Sequence, residues 1–275
     1  MKNEELRMKN FLLVVLFLVS LAMLPLFGLA QQYTGMSGLI HVSSADMDEE
    51  GVARAGGHFL NREFTPDMLR YDKAKYHTMT HYLSITPFKW LEIGYTCTLL
   101  RSAKVKDGKE DPEDVGLYRK DRYFSVKLQP IREKKGKWWP SVAIGSNDPY
   151  SGRKTNESSL VDENDPINSK NIGNSFFTNF YVAATKHFDL KGNSLGIHVS
   201  YRYWKRNYND KWNGPVGGIT FQPRFQKNLR FIAEYTGDDI NVGFDWKLWK
   251  FLLLQSSLQN GKYFTGGLCF CINLL

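Results

Sequence analysis

Alternation between apolar and polar residues is the strongest pattern in this chain, and residues 229–247 show it clearly. In LRFIAEYTGDDINVGFDWK, Leu229 and Tyr235 fall on one parity, while Arg230 and Glu234 fall on the other. After the tip GDD the alternation returns, with Ile, Val, Phe and Trp opposite Asn, Gly and Asp. A period of two residues is typical of β-strands, so the stretch predicts an antiparallel hairpin with one apolar and one charged face.

The same alternation recurs along most of the chain after residue 74. It is present in WLEIGYTCTLL, DRYFSVKL, NFYVAATKHF, SLGIHVSYRYW and FTGGLCFCINLL. No amphipathic helix is indicated, and counting from Val52 gives about twelve strands. The pattern therefore predicts an all-β protein.

Short and long connections largely alternate between the predicted strands. The short connections are 86–89, 132–137, 189–193, 224–228 and 247–250, and the long, polar ones are 102–119, 150–173 and 205–213. Short turns at one end and long loops at the other are typical of transmembrane β-barrels. The sequence therefore predicts an antiparallel up-and-down transmembrane β-barrel.

Aromatic residues flank the short connections, and their positions help to decide whether the apolar face meets lipid or a protein core. They are Phe88, Trp90, Trp138, Trp139, Phe188, Phe225, Trp246, Trp249 and Phe251. Aromatic rings at one level form the girdle that β-barrels place at a membrane interface. Alternation alone fits a soluble sandwich equally well. The connections, the aromatic residues and an export signal favour lipid around the apolar face and a polar lumen.

The N-terminus carries that export signal. A basic region precedes the apolar run FLLVVLFLVSLAMLPLF, which ends in the small-x-small sequence GLA. We therefore expect residues 1–30 to be a signal peptide and residues 31–275 to be an outer-membrane β-barrel domain. Residues 38–46 are either an extra strand or a segment inside the lumen. An uncleaved membrane anchor is the alternative interpretation of the apolar run.

The charge of the chain indicates its surroundings. The formal net charge is +8, and removing the leader takes away three basic and two acidic residues, which leaves +7. A basic exported protein attracts anionic headgroups, so outer-membrane lipids and lipopolysaccharide are expected partners. Export argues against nucleic acid as a partner. We expect a monomer in the outer membrane of a Gram-negative bacterium.

Neither the cysteines nor the histidines indicate a cofactor or a metal site. Cys269 and Cys271 share one strand face, which places them badly for a mutual disulfide, and Cys97 is distant in the sequence. The odd number of cysteines, three, also argues against a disulfide framework. The six histidines are scattered and no CxxC pair is present. We therefore expect no metal and no cofactor.

The polar face supplies the candidate functional residues. Those expected to line the lumen are Glu92, Lys127, His198, Arg202, Arg230, Glu234 and Asp245. Structural pairing explains them most simply, because buried charges persist in proteins when they are paired. A polar conduit or a glycan-binding cavity is the functional alternative. Asp238 and Asp239 indicate turn chemistry at a hairpin tip, with a cation site as the alternative.

Two competing functions are an outer-membrane lipid-modifying enzyme and a soluble secreted β-barrel or sandwich binder. An enzyme of this kind needs a nucleophile beside a base, and His198 and Ser200 are neighbours on one strand face. No G-x-S-x-G sequence is present and no orienting partner is evident. No catalytic residue is therefore assigned.

Several motifs form an ordered series along the chain. They are GLIHVSSAD, GVARAGGHF, DRYFSVKL, PSVAIGSNDPYSG, NFYVAATKHF, GGITFQPRF, LRFIAEYTGDDINVGFDWKL and GGLCFCINLL, between residues 38 and 275. The series resembles the YjbH-like family of exopolysaccharide-associated outer-membrane proteins. The resemblance implies a non-enzymatic outer-membrane β-barrel that supports exopolysaccharide or capsule production, secretion or assembly. It also implies polysaccharide and envelope export proteins as partners.

Overall fold

The computed structural model describes residues 31–67, 69–107, 109–149, 176–204 and 211–275. The predicted signal peptide, residues 1–30, lies outside these ranges, as do most of the predicted loops 150–173 and 205–213. The strands of the described residues are β1 (Val52–Leu60), β2 (Arg70–Tyr71), β3 (Ala74–Lys75), β4 (Thr78–Phe88), β5 (Leu91–Lys106), β6 (Lys109–Ile131), β7 (Ser141–Asn147), β8 (Asn179–Leu190), β9 (Asn193–Trp204), β10 (Gly214–Gln222), β11 (Leu229–Tyr235), β12 (Ile240–Leu248), β13 (Leu252–Gln259) and β14 (Tyr263–Asn273). A short 3₁₀-helix, Arg62–Phe64, follows β1.

Twelve of these strands close a barrel in the order β1-β14-β13-β12-β11-β10-β9-β8-β7-β6-β5-β4. Neighbouring strands are antiparallel, and β1 closes the barrel by pairing with β14 from Val52↔Asn273 to Phe59↔Gly266. Strands β2 and β3 form a separate ribbon in the connection between β1 and β4. The predicted all-β, antiparallel up-and-down barrel of twelve strands is confirmed.

The prediction that residues 102–119 form a loop is wrong. Strands β5 and β6 continue through this segment, pairing Ser102 with Gly116 and Val105 with Glu110. They are 16 and 23 residues long, whereas about 9–11 residues of strand cross a membrane. The hairpin therefore projects into water, which solvates both of its faces. For that reason the segment has no apolar face and reads as a polar loop in the sequence.

Apolar side chains cover the outward face of the barrel. Exposed examples are Leu83, Ile93, Phe124, Ile144, Val182, Val199, Ile219, Phe231, Val242 and Leu268, each on a different strand. In water such a continuous apolar surface would be strongly unfavourable, whereas hydrocarbon solvates it, and closure pairs the backbone of every barrel strand. The barrel therefore spans the outer membrane of a Gram-negative cell.

No helix among the described residues is long and apolar enough to cross a membrane.

Aromatic side chains form a girdle at each end of the apolar belt. At the end with the short turns, which is the periplasmic end in such barrels, Phe88 stacks on Trp90 at 5.6 Å and Trp249 on Phe251 at 6.0 Å between ring centroids. Of the nine predicted girdle residues, eight are exposed, and Trp139 is half-buried. The outward face at the extracellular end carries exposed Tyr203, Tyr235 and Phe264, a second girdle that the sequence pattern did not predict.

Residues 31–48 run through the interior of the barrel and are termed the luminal segment. Every one of these residues is buried. The segment includes residues 38–46, and it contains isolated bridges at Gln31↔Ser37 and Gly38↔Ser43 in place of a regular strand. The chain then leaves the lumen at the periplasmic end, where it enters β1.

Glycines on the barrel wall make room for the luminal segment. A Cβ atom at Gly94 would lie 2.6 Å from Sδ of Met36, and one at Gly218 would lie 2.6 Å from Cδ1 of Leu39. Both separations are closer than carbon and sulfur atoms approach without a steric clash. A larger residue at either position would therefore displace the Met36 or Leu39 side chain, which shows that the segment packs directly against the wall at β5 and β10.

A hydrophobic cluster fills the extracellular half of the lumen. The luminal segment contributes Tyr33, Leu39, Ile40 and Val42, the end of β1 contributes Leu60, and the connection between β1 and β4 contributes Phe64, Leu69 and Tyr76. Strands and other connections complete it with Leu100, Tyr123, Phe176, Phe177, Trp204, Trp212, Val216 and Ile232. These buried side chains close the extracellular half of the lumen.

Candidate functional site in the barrel lumen

All seven predicted lumen residues point into the barrel, where they contact the luminal segment or each other. Six are buried, and the side chain of Arg230 retains 12% exposure. They come from five strands: Glu92 on β5, Lys127 on β6, His198 and Arg202 on β9, Arg230 and Glu234 on β11, and Asp245 on β12. The parity of each strand decides this placement, since successive strand residues point to opposite faces.

Glu92 and Lys127 form a clamp around two limbs of the luminal segment. They are directly opposite each other on β5 and β6, with Nζ of Lys127 at 3.8 Å from Oε2 of Glu92. Glu92 accepts a hydrogen bond from the backbone N–H of Ser37 at 2.8 Å. Lys127 donates to the carbonyl oxygen of Ser37 at 2.9 Å and to that of Asp46. One buried ion pair therefore holds the luminal segment at two places, Ser37 and Asp46.

Glu234 binds the turn at the middle of the luminal segment. Its carboxylate accepts backbone hydrogen bonds from Ile40 at 3.1 Å, from His41 at 2.8 Å and from Val42 at 3.0 Å. The side-chain amide of Asn241 donates to the same carboxylate at 2.6 Å. Three consecutive N–H groups have no sheet partner in this turn, so the carboxylate supplies the acceptors that burial requires.

Replacing Glu234 with glutamine is expected to loosen this turn. Glutamine replaces one acceptor oxygen with an NH₂ group that faces the backbone N–H donors, so at least one backbone N–H loses its partner at a cost of about 1–3 kcal/mol. Hydrogen exchange at the amides of Ile40, His41 and Val42 is expected to accelerate accordingly. The exposed Glu49, changed to glutamine, is the control. Unchanged exchange at all three amides would contradict the assigned role of Glu234.

Arg202 joins the luminal segment to the extracellular connections. Its guanidinium donates to the carbonyl oxygens of His41 at 3.0 Å, Trp212 at 3.0 Å and Thr236 at 2.9 Å. The guanidinium is planar with donors in a fixed fork, so one side chain can satisfy three carbonyl groups from separate parts of the chain. Arg202 therefore fixes the apex of the segment beneath the hydrophobic cluster.

Arg230 and Asp245 form a second buried ion pair on neighbouring strands. Nη2 of Arg230 lies 2.8 Å from Oδ2 of Asp245 and 3.2 Å from the carbonyl oxygen of Gly38. Asp245 also accepts a hydrogen bond from the amide of Gln255 at 2.8 Å, and Gln255 contacts Nε2 of His58 at 2.7 Å. The pair is thus part of a polar chain that extends around the wall from β11 to β1.

His198 and Ser200 do not have the contacts of a catalytic pair. The ring nitrogens of His198 lie 3.1 Å from Oγ1 of Thr185 and 3.0 Å from Oγ1 of Thr220. The hydroxyl of Ser200 instead donates to the carbonyl oxygen of Val182 at 3.0 Å. A nucleophile needs its base within hydrogen-bond reach, and the contacts of both side chains are directed elsewhere.

The carboxylate of Asp239, at the acidic hairpin tip, contacts a neighbouring hairpin. The carboxylate of Asp239 accepts hydrogen bonds from the side-chain amides of Gln259 and, at 2.6 Å, Asn260. These contacts join the tip of the β11–β12 hairpin to the tip of the β13–β14 hairpin. Both carboxylate oxygens of Asp239 are therefore hydrogen-bonded within the protein.

Several residues of the lumen network were not predicted. Asp48 and Arg54 form a buried ion pair, and Asp46 lies between His187 and His198. Parity could have identified Arg54, because it alternates with Ala53, Ala55 and Phe59 on the opposite face of β1. The aspartates lie in a segment with no hydrophobic period, so no sequence signal indicates which way they point.

Three solved outer-membrane proteins are similar to the chain. An outer membrane channel from Pseudomonas putida F1 is 10% identical, over 84% of this chain and 98% of that chain, with a TM-score of 0.39. The Salmonella typhi outer membrane phospholipase, a dimer with bound calcium, is 11% identical, over 81% and 89% of the two chains, with a TM-score of 0.34. Outer membrane phospholipase A from Escherichia coli is 10% identical, over 81% and 95%, with a TM-score of 0.34. Likenesses this distant carry no argument about function.

No curated protein matches the chain. A family match, in contrast, extends over residues 30–275 and therefore includes the luminal segment and every barrel strand. The family is described as "Exopolysaccharide biosynthesis protein YbjH". The resemblance noted from the sequence motifs is thereby confirmed, and the chain belongs to the YjbH family of exopolysaccharide biosynthesis proteins.

Proposed function

We propose that this barrel is a non-enzymatic component of exopolysaccharide production that acts at the outer membrane, in secretion or assembly of the polymer. Membership of the exopolysaccharide biosynthesis family, over residues 30–275, carries the proposal. The lumen supports a non-enzymatic role, because its charged side chains bind the luminal segment and each other. Polysaccharide and envelope export proteins are the partners that this role requires.

The filled lumen bears on how the barrel would contribute. The hydrophobic cluster and the luminal segment occupy the path that a polymer would take through the barrel. Transport through the lumen would therefore require the segment to move, whereas a scaffold for assembly would use the barrel as it stands. The proposed function includes both transport and scaffolding. The place where the polymer accumulates distinguishes between them.

The outer surface suits a monomer among outer-membrane lipids and lipopolysaccharide. Closure leaves no unpaired barrel edge that would recruit a second copy. Exposed Arg101 and Arg122 lie on the outward face of β5 and β6, above the apolar belt marked by Phe124. Positive charge at this level attracts the phosphate groups of lipopolysaccharide.

Deletion of the gene in its host, followed by complementation, tests the proposal. Secreted exopolysaccharide is expected to fall on deletion and to return with the wild-type chain. Polymer that accumulates in the periplasm would indicate secretion, and polymer that is released but not retained at the surface would indicate assembly. Unchanged polymer in the deletion strain would refute the proposed function.

Ser200→Ala is the matched variant for the enzymatic alternative. Because the Ser200 hydroxyl only donates to a backbone carbonyl among the described contacts, this variant is expected to restore polymer to the wild-type level. Lipid composition of the outer membrane is measured in the same strains. Loss of both complementation and lipid turnover in a correctly inserted Ser200→Ala barrel would favour the lipid-modifying enzyme.

A further inference from the structure

Asp46, His187 and His198 converge near the periplasmic end of the lumen, although they are far apart in the sequence. One ligand atom of each lies within 4.8 Å of the others. Asp46 belongs to the luminal segment, while His187 and His198 project from the neighbouring strands β8 and β9. Two imidazoles and one carboxylate are ligands that zinc and related divalent metals bind in proteins.

The distances in this cluster suit a shared ion. Oδ1 of Asp46 lies 3.8 Å from Nε2 of His187, and Oδ2 lies 3.7 Å from Nδ1 of His198. Ligand bonds of about 2.0–2.2 Å in a tetrahedral zinc site place ligand atoms roughly 3.3–3.6 Å apart. The two Asp46–histidine separations therefore exceed those of a zinc site by a few tenths of an ångström, and Nδ1 of His198 would exchange its hydrogen bond with Thr185 for the ion.

A second carboxylate orients His187 towards this point. Nδ1 of His187 is hydrogen-bonded to Glu133, so Nε2 is the nitrogen directed at Asp46. Glu133 lies in the periplasmic turn and also accepts a hydrogen bond from the backbone N–H of His187 at 3.1 Å. A carboxylate on the distal ring nitrogen is the arrangement that metal-binding histidines use to fix their tautomer.

The carboxylate of Asp46 has an unused acceptor. The residue is 6% exposed, and Oδ2 is buried without a hydrogen-bond partner among the described residues. Buried carboxylate oxygens are normally hydrogen-bonded, because leaving one unsatisfied costs free energy. An ion between Asp46 and the two imidazoles would supply the missing interaction.

The neighbouring cations already have anionic partners. Nη1 of Arg230 lies 4.0 Å from Oδ2 of Asp46, but its guanidinium is bonded to Asp245. Lys186 pairs with Glu133 at 3.2 Å. Since Arg230 and Lys186 are paired with Asp245 and Glu133, the carboxylate of Asp46 is the one that offsets the charge of a divalent ion.

We propose that Asp46, His187 and His198 bind one Zn²⁺ ion, with water in the fourth position. The ion ties the luminal segment to the barrel wall at the end where the segment leaves the lumen. His187 keeps 31% side-chain exposure, which gives the ion access from the periplasmic side. The sequence did not indicate this site, because the three ligands do not have the spacing of a known metal-binding motif and Asp46 lies outside the strands.

Zinc binding by the refolded, detergent-solubilised chain tests the proposal. The three cysteines are changed to serine first, because the thiols of Cys269 and Cys271 lie 3.9 Å apart and can themselves bind zinc. After chelator treatment and dialysis, isothermal titration with Zn²⁺ is expected to give one equivalent. Asp46→Asn and His198→Gln are each expected to abolish this binding, and Glu133→Gln to weaken it about 10–100-fold.

His58→Gln is the matched control, since His58 is a buried lumen histidine that contacts Gln255 and lies outside the cluster. It is expected to keep one equivalent of zinc. Faster gel migration before boiling shows that each variant retains the barrel. Zinc is also expected to raise the melting temperature of the Cys-free parent chain but not of Asp46→Asn, because only the parent gains binding energy in the folded state.

Two results would overturn the zinc site. One is absence of stoichiometric binding to the folded Cys-free chain. The other is equal zinc affinity in folded Asp46→Asn and in the parent, which would assign the binding to surface histidines. Either result leaves the proposed role in exopolysaccharide production untouched, because that role does not depend on a metal.

Discussion

Replacing Lys127 with alanine is expected to lower the free energy of unfolding of the barrel by about 3–5 kcal/mol. The change leaves the carboxylate of Glu92 buried without its counter-charge, 3.8 Å from where the ammonium group was. It also removes the donor to the carbonyl oxygens of Ser37 and Asp46. Equilibrium unfolding of the barrel in lipid vesicles, followed by tryptophan fluorescence in guanidinium chloride, measures the change.

A double variant separates the effect of the charge from the effect of lost side-chain volume. Lys127→Met with Glu92→Leu removes both charges and keeps apolar volume, so its cost is expected to be smaller than that of Lys127→Ala. The exposed pair between Arg132 and Glu49 is the control, and Arg132→Ala is expected to cost no more than about 1 kcal/mol. A Lys127→Ala cost as small as that of Arg132→Ala would show that the pair does not clamp the segment.

Placing arginine at Ile219 is expected to cost about 2–4 kcal/mol and to reduce insertion into the membrane. Ile219 lies midway along β10, between Ile197 on β9 and Ala233 on β11, and 52% of its surface is exposed. Its side chain therefore meets hydrocarbon near the middle of the bilayer. The amount of heat-modifiable barrel in outer-membrane fractions measures insertion. Equilibrium unfolding in lipid vesicles measures the loss of stability.

The same substitution at the membrane interface is the control for depth. Phe225 lies in the periplasmic turn between β10 and β11 and is 88% exposed. Phe225→Arg is expected to cost about 0–1 kcal/mol, because an interfacial arginine reaches headgroups and water. Equal costs at Ile219 and Phe225 would mean that the apolar belt does not lie in hydrocarbon.

Strand parity was the most informative property of the sequence. In LRFIAEY it assigned Arg230 and Glu234 to the lumen, and the structure places both side chains inside the barrel, Glu234 on the luminal segment and Arg230 on Asp245. This works because a strand residue has only two directions to point, and lipid on one side excludes charge from it. The part of the β5–β6 hairpin that extends beyond the membrane was not predicted. Water solvates both of its faces there, so its sequence shows no alternation between apolar and polar residues.

The contacts between strands and luminal segment could not be predicted in the same way. Residues 31–48 have no period of two, so neither the position of Asp46 nor that of Ser37 follows from local sequence. Their partners, His187 for Asp46 and Glu92 for Ser37, are distant in the sequence. Such pairings depend on where closure of the barrel brings each strand.

The sequence by itself determined an all-β barrel with a lipid-facing side and a polar side, because the environment of each strand residue is encoded in its parity. Only the tertiary structure decided that the lumen is filled. Twelve strands closed through β1 and β14 enclose a space that the luminal segment and the hydrophobic cluster occupy. The charges on Glu92, Lys127 and Glu234 are therefore used to hold a segment for which the sequence left two positions open, an extra strand or the lumen.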